Sequence, residues 1–423
     1  MPARGLPGNA NLEQLKHGAK SLQQAVRGGD AGAAEVVREF HPRLAQAIPG
    51  SPELRGFTRA DAELVVARRF GFPSWAKLES YLEVTAAYAR SPHEEPPGGH
   101  VSNELELADD FLRLACLTYG EDDPAHWRRA AELLDANPAL ARANIYTAAA
   151  TGDVRAATEM LDRDASLANA QGGPHRWQPL LYLTYSRLEA QSPVELAALL
   201  LDHGADPNAG FLWEGLSPPF TALTGAFGSG EGDQPPHRHG MRLARLLLER
   251  GAEPNDAQTL YNRQWDPDDG WLELLFEFGL GTGDGGRWHR LLVPAHPTPR
   301  QMLEDELIAA ARHGFIHRVR LLLEHHVEPN GTGTGHPLHG GRTPVQEAAL
   351  WGSPEIVELL QNAGAQPLLR DVEQFLCAAT RPDREKTRRM IEGDPTIVER
   401  ARAERPDQLV RAAEKDDLEA VRC

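Results

Sequence analysis

Gly341-Arg-Thr-Pro-Val-Gln-Glu-Ala-Ala-Leu-Trp-Gly352 followed by Ser-Pro-Glu-Ile-Val-Glu-Leu-Leu-Gln-Asn-Ala-Gly364-Ala-Gln-Pro spells out one complete helix-turn-helix unit. Thr343 suits an N-cap and Pro344 the first helical position, so a helix is predicted to start there, with Ala348 and Ala349 on a face where only small residues permit close stacking. Gly352 ends it. Pro354 opens a second helix whose Ile356, Val357, Leu359 and Leu360 recur at helical spacing, and Gly364 supplies the positive φ of its C-terminus. One such pair cannot bury its apolar stripe alone, so neighbours must stack on it.

Weaker copies fill most of the chain. Val194-Glu-Leu-Ala-Ala-Leu-Leu-Leu-Asp-His-Gly-Ala-Asp-Pro-Asn208, Arg242-Leu-Ala-Arg-Leu-Leu-Leu-Glu-Arg-Gly-Ala-Glu-Pro-Asn255 and Val319-Arg-Leu-Leu-Leu-Glu-His-His-Val-Glu-Pro-Asn330 each end on a Pro-Asn turn. Pro207, Pro254, Pro329 and Pro367 lie 47, 75 and 38 residues apart, which fits a period in the thirties with one insertion and one degenerate repeat between. The Gly- and Pro-rich stretch 228–240 marks the insertion.

These residues resemble the ankyrin repeat family, whose Thr-Pro-Leu-His opening is echoed by Thr343-Pro-Val-Gln, Thr221-Ala-Leu-Thr and Gln178-Pro-Leu-Leu. Gln346 replaces the family's histidine, which puts the side-chain network between adjacent repeats in question at that position. A second ending, Asp135-Ala-Asn-Pro-Ala-Leu140, with echoes at Asp164-Ala-Ser-Leu167 and Asp394-Pro-Thr-Ile397, is similar to divergent bacterial ankyrin proteins. The resemblance covers roughly 105–423. It implies an all-α helical solenoid of about ten repeats, the last of them incomplete, whose loops and inner helices line a concave binding face.

Before the array, Ser21–Asp30 and Ala33–Phe40 read as a helix pair broken by Gly-Gly-Asp. Ala60–Leu82 reads as another, similar to the leader that precedes ankyrin arrays in some bacterial proteins. The expected organisation is an N-terminal capping region over 1–90, a Pro/Gly-rich linker over 91–104 and repeats over 105–255. An irregular or degenerate repeat over 256–300 then leads to repeats over 301–423, ending in an unfinished unit that suits a fragment of a larger assembly protein.

The net charge of −17 repels nucleic acid and anionic membrane and favours a basic partner. No apolar run approaches the roughly 20 residues needed to span a bilayer. Cys116, Cys377 and Cys423 have no C-x-x-C spacing, which argues against a zinc ribbon or a disulfide framework and suits a cytoplasmic location. Five lysines, at 16, 20, 77, 386 and 415, among 44 basic residues point to a GC-rich bacterial genome.

Chemistry is thin. The glycine clusters at 281–286 and 331–335 neither follow a strand nor open a Lys-Ser/Thr helix, so they read as loops rather than phosphate cradles. His237 with His239, His313 with His317, and the group His325, His326, His336 and His339 are the metal candidates. Their spacing fixes no carboxylate or thiolate partner, and Gly314 parts the second pair, so no metal or other cofactor is expected. There is no Gly-x-Ser-x-Gly elbow, and catalysis is not expected.

Large rings placed in the loops beside arginine stand out: Trp177, Phe211, Trp213, Tyr261, Trp265 and Trp288. Such residues build interface hot spots, or else fold back to fill gaps between degenerate repeats. The expectation is a non-catalytic scaffold that binds a protein or peptide through these rings, with those at 211–213 and 261–265 forming one patch. The alternative is an enzyme or small-molecule binder with a site among Trp265, Asp266, Asp268, Trp271, His289 and His296, where the repeat grammar weakens.

Overall fold

The computed structural model describes residues 6, 11–94, 104–120, 122–189, 191–338, 340–366, 368–380 and 384–406. The unfinished C-terminal repeat expected over 407–423, most of the 91–104 linker and His339 lie outside the described residues. Helices dominate, and the chain divides into two compact units.

The first unit comprises residues 1–226, 237–252 and 286–296. It opens with helices Leu12–Arg27, Ala31–Phe40, Arg59–Arg69 and Trp75–Tyr88. Asn11, Asp30, Thr58 and Ser74 cap their N-termini by accepting from backbone N–H groups that have no partner within the helix. Ala19, Val26, Val37, Leu54, Phe57, Ala62 and Val65 form the small core of this block.

Its continuation is not helical. Ala89–Arg90 (β1) pairs in parallel with Gly210–Trp213 (β2), which pairs antiparallel with Phe220–Thr221 (β3). This three-stranded sheet ties the N-terminal block to the repeats. Tyr81, Val84 and Tyr88 pack beneath it against Leu212, Trp288 and Leu292. Among the described residues this clasp holds the named strands that interrupt the expected all-α solenoid, and no strand-length run announces it because each strand has only two to four residues.

The repeats of this unit follow the predicted grammar. Helix Ile145–Thr151 buries Ala148, Ala149 and Ala150 and stops at Gly152, which takes the left-handed conformation, φ 73°, before Val154–Leu161 begins. Pro179–Tyr185 is buried along its whole length and is followed by Pro193–Asp202.

The second unit comprises 227–236, 253–285 and 297–423. Pairs Ala257–Arg263 with Gly270–Glu277, Pro299–His313 with Ile316–Glu324, and Pro344–Leu350 with Pro354–Asn362 are followed by helices Asp371–Thr380, Arg384–Gly393 and Ile397–Glu404. The stretch expected to be irregular holds helices Ala257–Arg263, Gly270–Glu277 and Gly286–Leu292, the last of them in the first unit. In the strongest repeat, the Gln346 side chain accepts from the Thr343 N–H at 3.0 Å and donates to the Leu368 carbonyl at 3.1 Å. It both caps its own helix and reaches the chain beyond its own repeat.

Asparagine holds successive turns together. Asn169 Nδ2 donates to the Gly204 carbonyl at 2.6 Å while its Oδ1 accepts from Asp206 N at 2.9 Å, and Asn208 Nδ2 reaches the Gly251 carbonyl at 3.0 Å. In the second unit Asn255 bonds Thr282 and Gly281, and Asn330 bonds Gly364 and Gln366, in the same two-way manner. A primary amide can satisfy one carbonyl and one N–H at once, which is what a turn facing another turn needs.

Ala348 is fully buried between helix layers. Ala348→Leu is expected to overpack that contact and cost about 1–3 kcal/mol. Thermal unfolding indistinguishable from wild type would show that the register of this repeat is wrong.

Candidate functional site

The six loop rings divide by burial. Trp177 is 1% exposed, stacks on Phe211 at 4.9 Å between centroids and touches Tyr182 and Tyr185. Trp288 is 5% exposed, meets Tyr88 edge-on at 5.0 Å and donates its indole N–H to the Asn208 carbonyl at 3.0 Å. Trp177, Phe211 and Trp288 are therefore interior rings of the first unit. They pack in and around the small sheet, and in this conformation they present almost no surface to a partner.

Trp213, at the end of β2, is half-buried. Its N–H donates to the Thr118 carbonyl at 3.0 Å, and His93 stacks on its ring at 4.4 Å. In the second unit Tyr261 and Trp265 are also half-buried and meet edge-on at 6.4 Å. The Tyr261 hydroxyl donates to the Glu231 carboxylate. An open cleft of about 570 Å³ lies beside Trp265, bounded by the loop Ser229–Gly230–Glu231, Asp233, Asp266 and Pro267.

Asp266, which borders this cleft, also gives its carbonyl to a buried arginine. Arg318 is fully buried. Its Nε donates to Asp269 Oδ1 at 2.6 Å, its Nη1 to Glu306 Oε1 at 3.1 Å, and its Nη2 to the Asp266 and Asp268 carbonyls at 2.5 and 2.9 Å. The rings of Trp271 and Phe315 lie 5.4 and 5.1 Å from its guanidinium carbon. Burial pushes the Glu306 carboxyl up to about 7, against the opposing pull of Arg318.

Residues 290–371 match the family described as ankyrin repeats in three copies. The chain carries ankyrin repeats. No curated protein matches the chain.

Ankyrin repeats are generally protein-interaction modules. The acids of 256–300, which precede the matched residues, have structural work. Asp266, Asp268 and Asp269 cradle Arg318 or pair with Arg263, and Trp271 is interior. His289 and His296, in the first unit, meet edge-on with ring centroids 5.7 Å apart. His325 stacks on Phe276 at 3.7 Å, and His336 lies against Tyr261. The loop 331–335 turns backbone N–H groups toward acids, with Gly333 N bonded to Glu304 and Thr334 N to Asp305, so it repels phosphate rather than cradling it.

Sequence reasoning missed one group. His93, Glu94 and Glu214 bring one ligand atom each within 4.8 Å of one another, the one such trio among the described residues. His93 Nε2 lies 3.1 Å from Glu214 Oε1. No spacing rule could find it, because the short parallel pairing of β1 with β2 joins positions far apart in the chain. No described helix is long and apolar enough to cross a membrane.

Proposed function

We propose that the chain is a non-catalytic cytoplasmic scaffold whose repeats bind a protein or peptide partner through their loops and first helices. The observation that carries this reading is the match to ankyrin repeats, which are interaction modules. Support comes from loop rings that keep part of their surface open at Trp213, Tyr261 and Trp265, the first two held in orientation by hydrogen bonds to Thr118 and Glu231. A net charge of −17 favours a basic partner and speeds its approach at low ionic strength.

The test uses a partner captured from a lysate of the source organism with the intact chain. Trp213→Ala and Trp265→Ala are each expected to weaken its binding by roughly 2 kcal/mol or more while the denaturant midpoint stays close to wild type. Loss of stability with unchanged affinity of the folded fraction would make both rings internal fillers and remove them from the binding surface.

A further inference from the structure

We propose that the cleft beside Trp265 is a socket for an arginine side chain of the protein partner, an inference that rests on the scaffold reading and supplies its chemistry. The cleft of about 570 Å³ is larger than one side chain needs and open enough to admit it from solvent. Its lining carries three carboxylates, Glu231, Asp233 and Asp266, beside one indole and no basic residue.

The three acids are not equivalent. Asp266 is already matched by Arg263 at 3.1 Å. Glu231 and Asp233 are exposed, and among the described residues neither is paired with a cationic side chain. Two uncompensated carboxylates in a concavity raise the local concentration of cations far above that over a flat acidic surface.

The walls are preset. Tyr261 donates to Glu231, and the loop is closed on itself by Ser229 N to the Gln234 carbonyl at 2.7 Å and Asp233 N to the Gly230 carbonyl at 3.1 Å. A wall that needs no ordering on binding loses less affinity to entropy. The combination of a flat indole and two carboxylates in one cleft selects a planar guanidinium, which stacks on a ring and donates in a fork, over a compact ammonium, which does neither as well.

The experiment titrates the full-length chain calorimetrically with N-acetyl-arginine methylamide and, in parallel, with the lysine and norleucine analogues. The expected result is weak saturable binding of the arginine probe, several-fold weaker binding of the lysine analogue and at least tenfold weaker binding of norleucine. The double variant Glu231→Gln/Asp233→Asn, both at exposed positions, is expected to lower arginine affinity at least tenfold at an unchanged melting temperature. A matched pair elsewhere, Glu355→Gln/Glu399→Gln, is expected to leave it unchanged.

Equal binding of arginine and norleucine, equal binding of arginine and lysine, or equal losses from the two double variants would each overturn the socket. If the probe fails to bind while the captured partner still depends on Trp213, the socket falls and the scaffold stands. If the probe binds as described while no protein partner can be captured, the guanidinium preference of the cleft stands, and its assignment to a protein partner falls with the scaffold.

Discussion

Arg318→Ala is expected to destabilise the second unit by about 3–5 kcal/mol, because it strips the counter-charge from a buried carboxylate. The guanidinium is fully buried, and five donor contacts, to Asp269, Glu306 and the carbonyls of Arg263, Asp266 and Asp268, converge on it. Removing it leaves Glu306 buried without its cation and frees carbonyls that the neighbouring helices cannot satisfy. Arg318→Lys should recover little, since a single ammonium cannot reach acceptors arranged around a planar fork. Arg318→Met combined with Glu306→Gln should be milder than Arg318→Ala, because the charge is removed from both sides. Urea midpoints of the three variants test this. A loss below about 1 kcal/mol for Arg318→Ala would mean that the cradle does not hold the repeats together.

Acidification from pH 7 to 5 is expected to weaken the first unit, and the cause is two histidines rather than the abundant carboxylates. Burial, reinforced by the nearby Arg113 charge, holds His175 down to about 3, and burial with Arg187 and His239 does the same to His237. Each titrates near 6.5 once unfolded. Below that pH the unfolded chain takes up a proton that the folded chain refuses, so stability present above pH 6.5 is lost as pH falls toward 3. The loss amounts to about 2 kcal/mol per histidine by pH 5.

Glu306 acts in the opposite sense in the second unit. Its folded carboxyl, raised to about 7, takes up its proton before the unfolded one does, so stability contributed at low pH is lost as pH rises through 7. Hydrogen exchange resolved by segment at pH 7 and 5 should show protection falling in the helices around His175 and not in those around Glu306. His175→Phe should remove about half of the first unit's pH response. A response unchanged by that substitution would assign it to other groups.

What was legible in the sequence was the part governed by local rules. Thr343, Pro344, Gly352, Pro354 and Gly364 each prefer one backbone position strongly enough to be read singly, and the helices fall where they direct. Gly314 likewise ends Pro299–His313 with φ 79° and parts the two histidines. Ring burial was not legible, because whether Trp177 covers a gap or faces a partner depends on how far apart two degenerate repeats stand, a quantity no local pattern encodes. The cradle of Arg318 was hidden for a related reason. An arginine in a helix reads as solvated unless the acids and carbonyls that collect around it, here 49 to 55 positions earlier for the 263–269 turn, are known to be neighbours.

The asparagine bridges are indifferent to how much chain they enclose. The same side-chain amide donates to a carbonyl across 27 residues from Asn255 to Thr282, 34 from Asn330 to Gly364 and 43 from Asn208 to Gly251. Segments between two bridges can therefore lengthen, shorten or be exchanged without resetting the spacing of the layers, and each loop is free to diverge toward its own ligand. Such an array can acquire new specificities one loop at a time while its frame is inherited unchanged.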